Sequence, residues 1–190
     1  MQEPAEKTLD PVVSPLFVGT THDKLREYDG KRVGDPRPCP GCESTDHRKN
    51  GYQKASKTFA RIVTEDGFED IGLQVQQYEC KECGRSFQGD LSEYFYEGCE
   101  YAKPIVDLAL FYAAENSYNA SERLLEQIYG VQVDRDTIRR YDDRFEQPPG
   151  SMQSVTIGGN RISLAFLAFL FDEDVDGDSP FVIQSPTALW

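Results

Sequence analysis

The sequence predicts a small modular α+β chain, in which an antiparallel β unit is followed by a unit of three helices. Two observations carry this prediction. Strand-like segments lie between two C-x-x-C motifs in residues 37–99, and helical apolar spacing recurs three times in residues 100–147. Neither pattern is sustained in residues 1–36 or 148–190. We interpret these as a loosely ordered N-terminal extension and a tail.

The β unit is predicted to be built on a hairpin. Residues 51–63 and 71–80 are rich in strand-forming side chains, and the acidic stretch 64-TEDGFED-70 between them is typical of a turn. An antiparallel hairpin of this length brings the second C-x-x-C motif beside the first.

Four cysteines have the spacing of metal ligands. Cys39 and Cys42 form one pair, Cys80 and Cys83 form the other, and 37 residues separate the pairs. Zinc prefers four tetrahedral ligands of this kind, and four thiolates leave it no open coordination position. A redox motif would need a βαβ context, which the sequence lacks. The sequence therefore predicts a structural Zn²⁺, and we assign no catalytic residue.

Neighbouring residues fit this metal site. Gly84 supplies the backbone angles that a tight turn after the second pair needs. Tyr78 and Phe87 flank the second pair and are expected to shield it. His47 is an alternative ligand, which four cysteines make unnecessary. Cys99 is interpreted as a buried or free thiol, and disulfides are not expected in a reducing compartment.

The helical unit has the pattern of a helix-turn-helix motif. Pro104 suits a first helical turn, Gly130 suits a helix end, and Asp134 suits an N-cap. The predicted helices cover residues 104–116, 120–130 and 134–147. The residues expected to face inward are Leu124, Leu125, Ile128, Val131, Val133, Ile138 and Tyr141.

The outward side of the third helix carries candidates for DNA contact. In such a motif the second helix enters the major groove, where arginine reads guanine edges. Acidic residues on the same helix oppose binding at low salt and matter less at molar salt. A plain three-helix packing unit is the alternative. The outward candidates are Arg135, Thr137, Arg139, Arg140 and Arg144.

A second set of candidates lies in the β unit, where residues 37–61 are locally basic. Tyr52 and Phe59 are interleaved with the basic side chains and could pack on sugars or bases. Ordinary solvated lysines on a hairpin are the alternative. These candidates are Arg48, Lys49, Lys54 and Lys57.

The chain as a whole is strongly acidic, with 33 acidic against 20 basic residues and a net charge of −13. This balance favours a halophilic host, because at molar salt the Debye length is about 3 Å and a dense acidic surface repels itself little. A solubilising acidic surface is the alternative. Neither a signal peptide nor a long apolar run is visible, so we expect a cytoplasmic, nucleoid-associated protein without membrane contact.

The order of the motifs resembles a known family. The C-x-x-C pairs ending in YECKECGRSF, then S-x-R-L-L, then YGVQVDRDTIRRY resemble the N-terminal DNA-binding region of DDE-type insertion-sequence transposases, especially those of haloarchaea. The resemblance covers roughly residues 37–147. It implies a zinc ribbon and a helix-turn-helix that bind the terminal inverted repeats of double-stranded DNA. It also implies a following RNase H-like domain with three metal-binding carboxylates.

The end of the sequence departs from that family. Only 40 residues follow Gly150, too few for the catalytic domain, so we expect no activity from this chain alone. The stretch 161–180 is a candidate for the first strand of that domain. The segment 172-DEDVDGD-178 starts like a calcium loop, but Ile183 stands where the closing glutamate belongs.

The sequence fits several interpretations. The chain is either a truncated element or a domesticated DNA-binding protein, and a homodimer is one arrangement it could adopt. A stand-alone zinc-ribbon transcription regulator is the second function. A protein-assembly module, which would hold zinc without binding DNA, is the third.

Overall fold

The computed structural model describes residues 13–145 and 152–172, which form a mixed α+β fold. The strands are β1 Arg32–Val33, β2 His47–Tyr52, β3 Lys57–Thr64, β4 Gly67–Cys80, β5 Ser86–Gln88, β6 Ser154–Ile157 and β7 Asn160–Ser163. The helices are α1 Val13–Arg26, α2 Lys103–Ala113, α3 Tyr118–Leu124, α4 Arg135–Arg144 and α5 Leu164–Leu170. A π-helical turn, Leu125–Tyr129, continues α3.

Strand β4 organises the main sheet. It pairs in parallel with β1 and antiparallel with β2, β3 and β5. Strand β3 covers the first half of β4, from Gly67 to Leu73, whereas β2 and β5 flank its last residues up to Cys80. The predicted hairpin is confirmed, but its first strand is shorter than residues 51–63, because residues 51–52 end the separate strand β2.

The two halves of β4 belong to different apolar clusters. The main core joins Ile62 and Ile71 of the hairpin to Leu108, Ile128 and Ile138 of the helices, each at most 1% exposed. A small second cluster surrounds the cysteines at the far end of the strand. The β unit and the helices therefore share one core.

The three predicted helices are present with shifted bounds: α2 and α4 end three residues early, and α3 begins two residues early and continues as the π-helical turn. The Ser117 side chain accepts a hydrogen bond from the α3 backbone, and the Asp134 side chain accepts from the Asp136 and Thr137 amides of α4. Six of the seven residues predicted to face inward are buried. Leu124 is half-buried and packs against the core.

The turn between α3 and α4 is joined to the sheet. Val63 N–H donates to the Gly130 carbonyl at 2.8 Å, and Gln132 N–H donates to the Arg61 carbonyl at 2.9 Å. His22 Nε2 of α1 donates to the same Gly130 carbonyl at 3.0 Å. Gly130 has φ 63°, and a Cβ there would collide with His22. Glycine is therefore required both by conformation and by close packing.

The prediction of loose order in the N-terminal extension is wrong for residues 13–36. Residues 13–26 form α1, and residues 32–33 form an edge strand. Pro15 and Gly19 weaken the local helical signal. Tertiary packing decides the outcome, because Leu25 and Thr21 are fully buried and α1 packs against the π-helical turn.

The apolar stretch after Arg161 is also corrected. Residues 160–163 form β7, but residues 164–170 form a helix, so the predicted long core strand is wrong. The Ser163 side chain accepts a hydrogen bond from Phe166 N–H and starts that helix. The acidic segment 173–180, including most of the suggested calcium loop, lies outside the described residues.

None of the helices in residues 13–145 and 152–172 is long and apolar enough to cross a membrane.

Candidate metal centre and nucleic-acid interface

The four predicted cysteine ligands meet at one point. Their Sγ atoms all lie within 4.8 Å of one another. The Cys39 and Cys83 sulfurs are 3.6 Å apart, and the Cys42 and Cys80 sulfurs are 3.5 Å apart. Four sulfurs at about 2.3 Å from a tetrahedral ion would be separated by about 3.8 Å. The donor set and its spacing therefore fit a metal ion such as Zn²⁺.

The two C-x-x-C turns have the same backbone geometry. In the first, Cys39 N–H donates to the Ser44 carbonyl at 2.9 Å and Glu43 N–H donates to the Cys39 carbonyl at 2.8 Å. In the second, Cys80 N–H donates to Arg85 and Gly84 N–H donates to Cys80, at 2.9 and 3.0 Å.

Both turns require a left-handed residue at the same position. Glu43 has φ 60° and Gly84 has φ 70°, each four residues after the first cysteine of its pair. The prediction for Gly84 is confirmed. Glu43 was not singled out by the sequence, because a glutamate carries no left-handed signal. Aligning the two motifs on their cysteines would have found it.

The four-thiol group is shielded on one side. Cys39 and Cys80 are about 1% exposed and pack with Tyr78 and Phe87, as predicted. His47 lies edge-on to both rings, with its centroid 4.8 Å from that of Tyr78 and 5.8 Å from that of Phe87. His47 is outside the four-thiol group, so it serves as packing.

The thiols of one pair have opposite pKa shifts. A hydrogen bond from Gly41 N–H, at 3.4 Å, helps lower the pKa of Cys39 to about 7. The Ser44 amide stabilises the Cys42 thiolate, but the sulfurs of Cys80 and Cys83 oppose it and raise the pKa of Cys42 to about 12. Four adjacent thiolates repel one another, and a divalent cation removes that obstacle.

Cys99 is the fifth cysteine and lies in the main core, 3% exposed and free, as predicted. Burial raises the pKa of its thiol, although the nearby Arg144 and Lys57 favour the thiolate. Its distance from the four-thiol group makes it a natural control in experiments on the metal centre.

Helix α4 exposes four of the five predicted contact residues. Arg135, Arg139, Arg140 and Arg144 are all exposed. Thr137 is 2% exposed, and its hydroxyl donates to the Asp134 carboxylate at 2.7 Å. The prediction that Thr137 faces outward is therefore wrong, since the side chain closes the N-cap of the helix.

Two of the exposed arginines pair only weakly with carboxylates. Arg139 lies 3.6 Å from the Asp136 carboxylate, and Arg140 lies 3.8 Å from Glu100, with each side chain more than half exposed. Exposed ion pairs contribute little to stability. Arg135 donates to Asn119 at 3.4 Å. Arg140 also donates to the Thr137 hydroxyl at 2.6 Å, so Arg135 and Arg139 are the more loosely held of these guanidinium groups.

The candidate DNA-contact residues of the β unit differ in exposure and in pairing. Lys49 and Lys54 are exposed, and Arg48 is exposed but paired with Glu79 at 2.8 Å. Lys57 is half-buried, donates to the Cys99 carbonyl at 3.0 Å and lies over the Phe95 ring. Desolvation lowers its pKa. Lys57 therefore holds the structure together and does not offer a free charge.

A cavity that the sequence analysis missed lies between α2, α5 and residues 93–96. It has a volume of about 320 Å³, and its wall includes the rings of Tyr28, Tyr94, Tyr96 and Phe169. These aromatic side chains are only half-buried. In the sequence the run 94-YFY-96 points to this cavity, but the other two rings, Tyr28 and Phe169, come from remote parts of the chain.

Comparison with known proteins relates the chain to a mobile element. Over 148 residues it is 22% identical to the insertion element ISM1 uncharacterized 48.3 kDa protein of Methanobrevibacter smithii. The alignment covers 77% of this chain and 35% of that protein, so the chain spans well under half of its relative. The chain is a distant relative of an insertion-element protein. No family model matches it, and no solved structure does.

Proposed function

We propose that this chain is the DNA-binding part of a transposase-like protein and recognises the double-stranded ends of an insertion element. One observation carries the proposal: α4 buries one side in the core and exposes arginines on the other, in a distant relative of an insertion-element protein. In this proposal α3 and α4 act as a helix-turn-helix. The end of the main sheet that carries the four clustered cysteines, called the cysteine end below, acts as a zinc ribbon.

The packing of α4 supports its role as the recognition helix. Ile138 and Tyr141 are buried, and the Tyr141 hydroxyl accepts a hydrogen bond from Tyr101 N–H at 3.3 Å. The preceding turn is hydrogen-bonded to β3. The helix is therefore held rigidly, which lets Arg135 and Arg139 near its N-terminus meet base edges in a defined register.

The cysteine end supports the proposal in a different way. Structural zinc with four thiolate ligands stabilises a small unit that lacks a large core. Here the unit carries the exposed Lys49 and Lys54. We assign phosphate contacts to these two lysines, because lysine binds phosphate as a point charge and carries no sequence information in that role.

The acidic residues of α4 set the conditions for binding. Asp136, Asp142 and Asp143 are exposed beside the arginines and oppose DNA phosphates at low salt. At molar salt this repulsion is screened, and counterion release contributes little to the affinity. Recognition then depends mainly on base contacts and DNA shape.

The test is fluorescence anisotropy of the zinc-loaded protein in molar KCl. The probes are the DNA flanking its own gene, including any inverted repeats, the upstream promoter, and a scrambled duplex. Tighter binding to inverted repeats supports the proposal. Binding confined to the promoter would replace it with a transcription regulator. Zinc uptake without binding to any duplex would replace it with a protein-assembly module.

A further inference from the structure

The aromatic cavity contains both flat apolar walls and a half-buried acceptor, the Asp107 carboxylate. Tyr28 stacks on Phe59 at 4.2 Å, which fixes one wall, and Tyr94 and Phe169 continue it. Asp107 of α2 lies in the same lining. A volume of about 320 Å³ is at the lower end of the range for small-ligand sites, large enough for one planar ring system.

Lysines already lie over one face of several of these rings. Lys31 Nζ lies 5.0 Å from the Tyr28 centroid and 5.4 Å from that of Tyr94. Lys103 Nζ lies 5.3 Å from the Tyr96 centroid. A second cation would be repelled by them. Of the two lysines only Lys103 lines the cavity, and the Glu93 carboxylate lies in the same lining. A neutral ring with an attached anionic group fits if the anion lies on the Lys103 side.

The acceptor in the wall selects for N–H donors. The Tyr96 hydroxyl lies 3.0 and 3.2 Å from the two Asp107 oxygens. A carboxylate offers about four acceptor sites, so others stay available. Burial raises the pKa of Asp107 to about 6, which leaves it ionised at neutral pH. Guanine presents two adjacent N–H donors on its Watson–Crick edge, a geometry that a carboxylate accepts.

We propose that this cavity holds a single unpaired nucleobase of the bound DNA, with guanine preferred. The base stacks on the face of Tyr94 that Lys31 leaves open, its N–H edge meets Asp107, and its phosphate meets Lys103. The proposal rests on the function proposed above and adds a single-stranded subsite to it. Aromatic side chains are the usual platforms for unstacked bases.

Three DNA probes of one sequence test the subsite by anisotropy. The first is a blunt duplex, the second carries a three-nucleotide guanine extension, and the third carries an abasic extension with the same phosphates. We expect the guanine extension to tighten binding about 5- to 100-fold over the blunt duplex, the range expected for one stacked base. The abasic extension should give little of this gain.

Substitutions test which side chains produce the tighter binding to the guanine extension. Tyr94→Ala should abolish this tighter binding, and Tyr94→Phe should retain it because the ring remains. Asp107→Asn should remove the preference for a guanine over a thymine extension. Phe68→Ala is the control, since that ring is 65% exposed on the β3–β4 hairpin and does not line the cavity. Unchanged circular dichroism confirms that each variant folds.

The outcomes separate the two proposals. If the blunt duplex binds and the guanine and abasic extensions bind alike, the subsite is overturned and the proposed function stands. If the blunt duplex fails to bind while the guanine extension binds and needs Tyr94, the subsite stands and duplex recognition is overturned. Failure of all three probes overturns both.

Discussion

Val131 pairs with Ile62 in an antiparallel bridge that joins the turn between α3 and α4 to the edge of β3. Both side chains are fully buried. The turn thus acts as a short extra strand, and the orientation of α4 depends on the sheet. A substitution that destabilises β3 at this point should therefore also destabilise the helices.

Ile62→Ala should destabilise the whole main core. Replacing a fully buried isoleucine costs about 2–5 kcal/mol, and the loss should lower the helical and sheet signals in one transition. Denaturant unfolding followed by far-UV circular dichroism and by tyrosine fluorescence measures this. Phe68→Ala is the matched control on the same hairpin, because its exposed ring should cost less than about 0.5 kcal/mol. Two separate transitions for Ile62→Ala would contradict a shared core.

Cys80→Ser should abolish stoichiometric zinc binding and loosen the cysteine end of β4. Three thiolates and a hydroxyl bind zinc far less tightly than four thiolates, and the site stabilises the fold around it. Metal content per chain, with and without a chelator, gives the direct measurement. Cys99→Ser is the control, since it removes a buried thiol outside the four-thiol group. One zinc per chain and unchanged melting in Cys80→Ser would refute the site.

The shared geometry of the two C-x-x-C turns predicts opposite effects at equivalent positions. Gly84→Ala should cost about 1–2 kcal/mol, because a Cβ is disfavoured at φ 70°. Glu43→Gly should stabilise the first turn by up to about 1 kcal/mol, since it relieves the same strain. Thermal melting of the zinc-loaded protein tests both. Destabilisation by Glu43→Gly would mean that the glutamate side chain contributes contacts beyond its backbone.

Asp107→Asn should change the pH dependence of stability. Burial raises the pKa of this carboxyl from 3.8 to about 6, so the folded state prefers it protonated. Ionisation in the unfolded chain therefore lowers the stability of the native protein as the pH rises from about 4 to about 6. The asparagine side chain of the variant does not ionise, so the variant does not lose stability in this way. The stability of the variant relative to the native protein should rise over this window by up to about 3 kcal/mol and level off near neutral pH.

Denaturation midpoints at several pH values measure this difference. Taking the difference cancels the titration of groups that both proteins share, including the cysteines. The loss of hydrogen bonding to Tyr96 shifts the whole curve but adds no slope. If the difference in stability between the two proteins stayed constant from pH 4 to 6, Asp107 would have an ordinary pKa.

The local signals of the metal centre and of the helices were readable in the sequence. Fixed spacing between Cys39 and Cys42 and between Cys80 and Cys83 specifies a turn, and Asp134 specifies a cap, because both depend on neighbours within a few residues. The burial of Ile128 and Ile138 followed from helical periodicity. These features need no knowledge of the rest of the fold.

Features that depend on distant partners were not predictable from one sequence. Helix α1 contains Pro15 and Gly19, and its burial depends on contacts with the π-helical turn more than a hundred residues later. Lys57 is held by the carbonyl of Cys99, which is remote in the sequence. Thr137 is a local exception, because its hydroxyl donates to the Asp134 carboxylate of the same N-cap, a contact that the sequence does offer.

The arginines of α4 supply the last prediction. Arg139→Ala combined with Arg140→Ala should weaken binding to the cognate duplex more than binding to scrambled DNA. Base contacts carry specificity and are worth about 1–3 kcal/mol each, whereas a lost phosphate contact weakens all sequences alike. Anisotropy titrations in molar KCl against both duplexes give the ratio that decides this.

The control is Arg26→Ala combined with Arg32→Ala, which also takes the net charge from −13 to −15. Both arginines are exposed, but they lie on α1 and β1, where Arg26 pairs with Glu69. If specificity depends on α4, this control should leave the cognate-to-scrambled ratio unchanged. An equal loss for both duplexes in Arg139→Ala/Arg140→Ala would mean that α4 binds only the phosphate backbone, and base reading would then have to lie elsewhere in the chain.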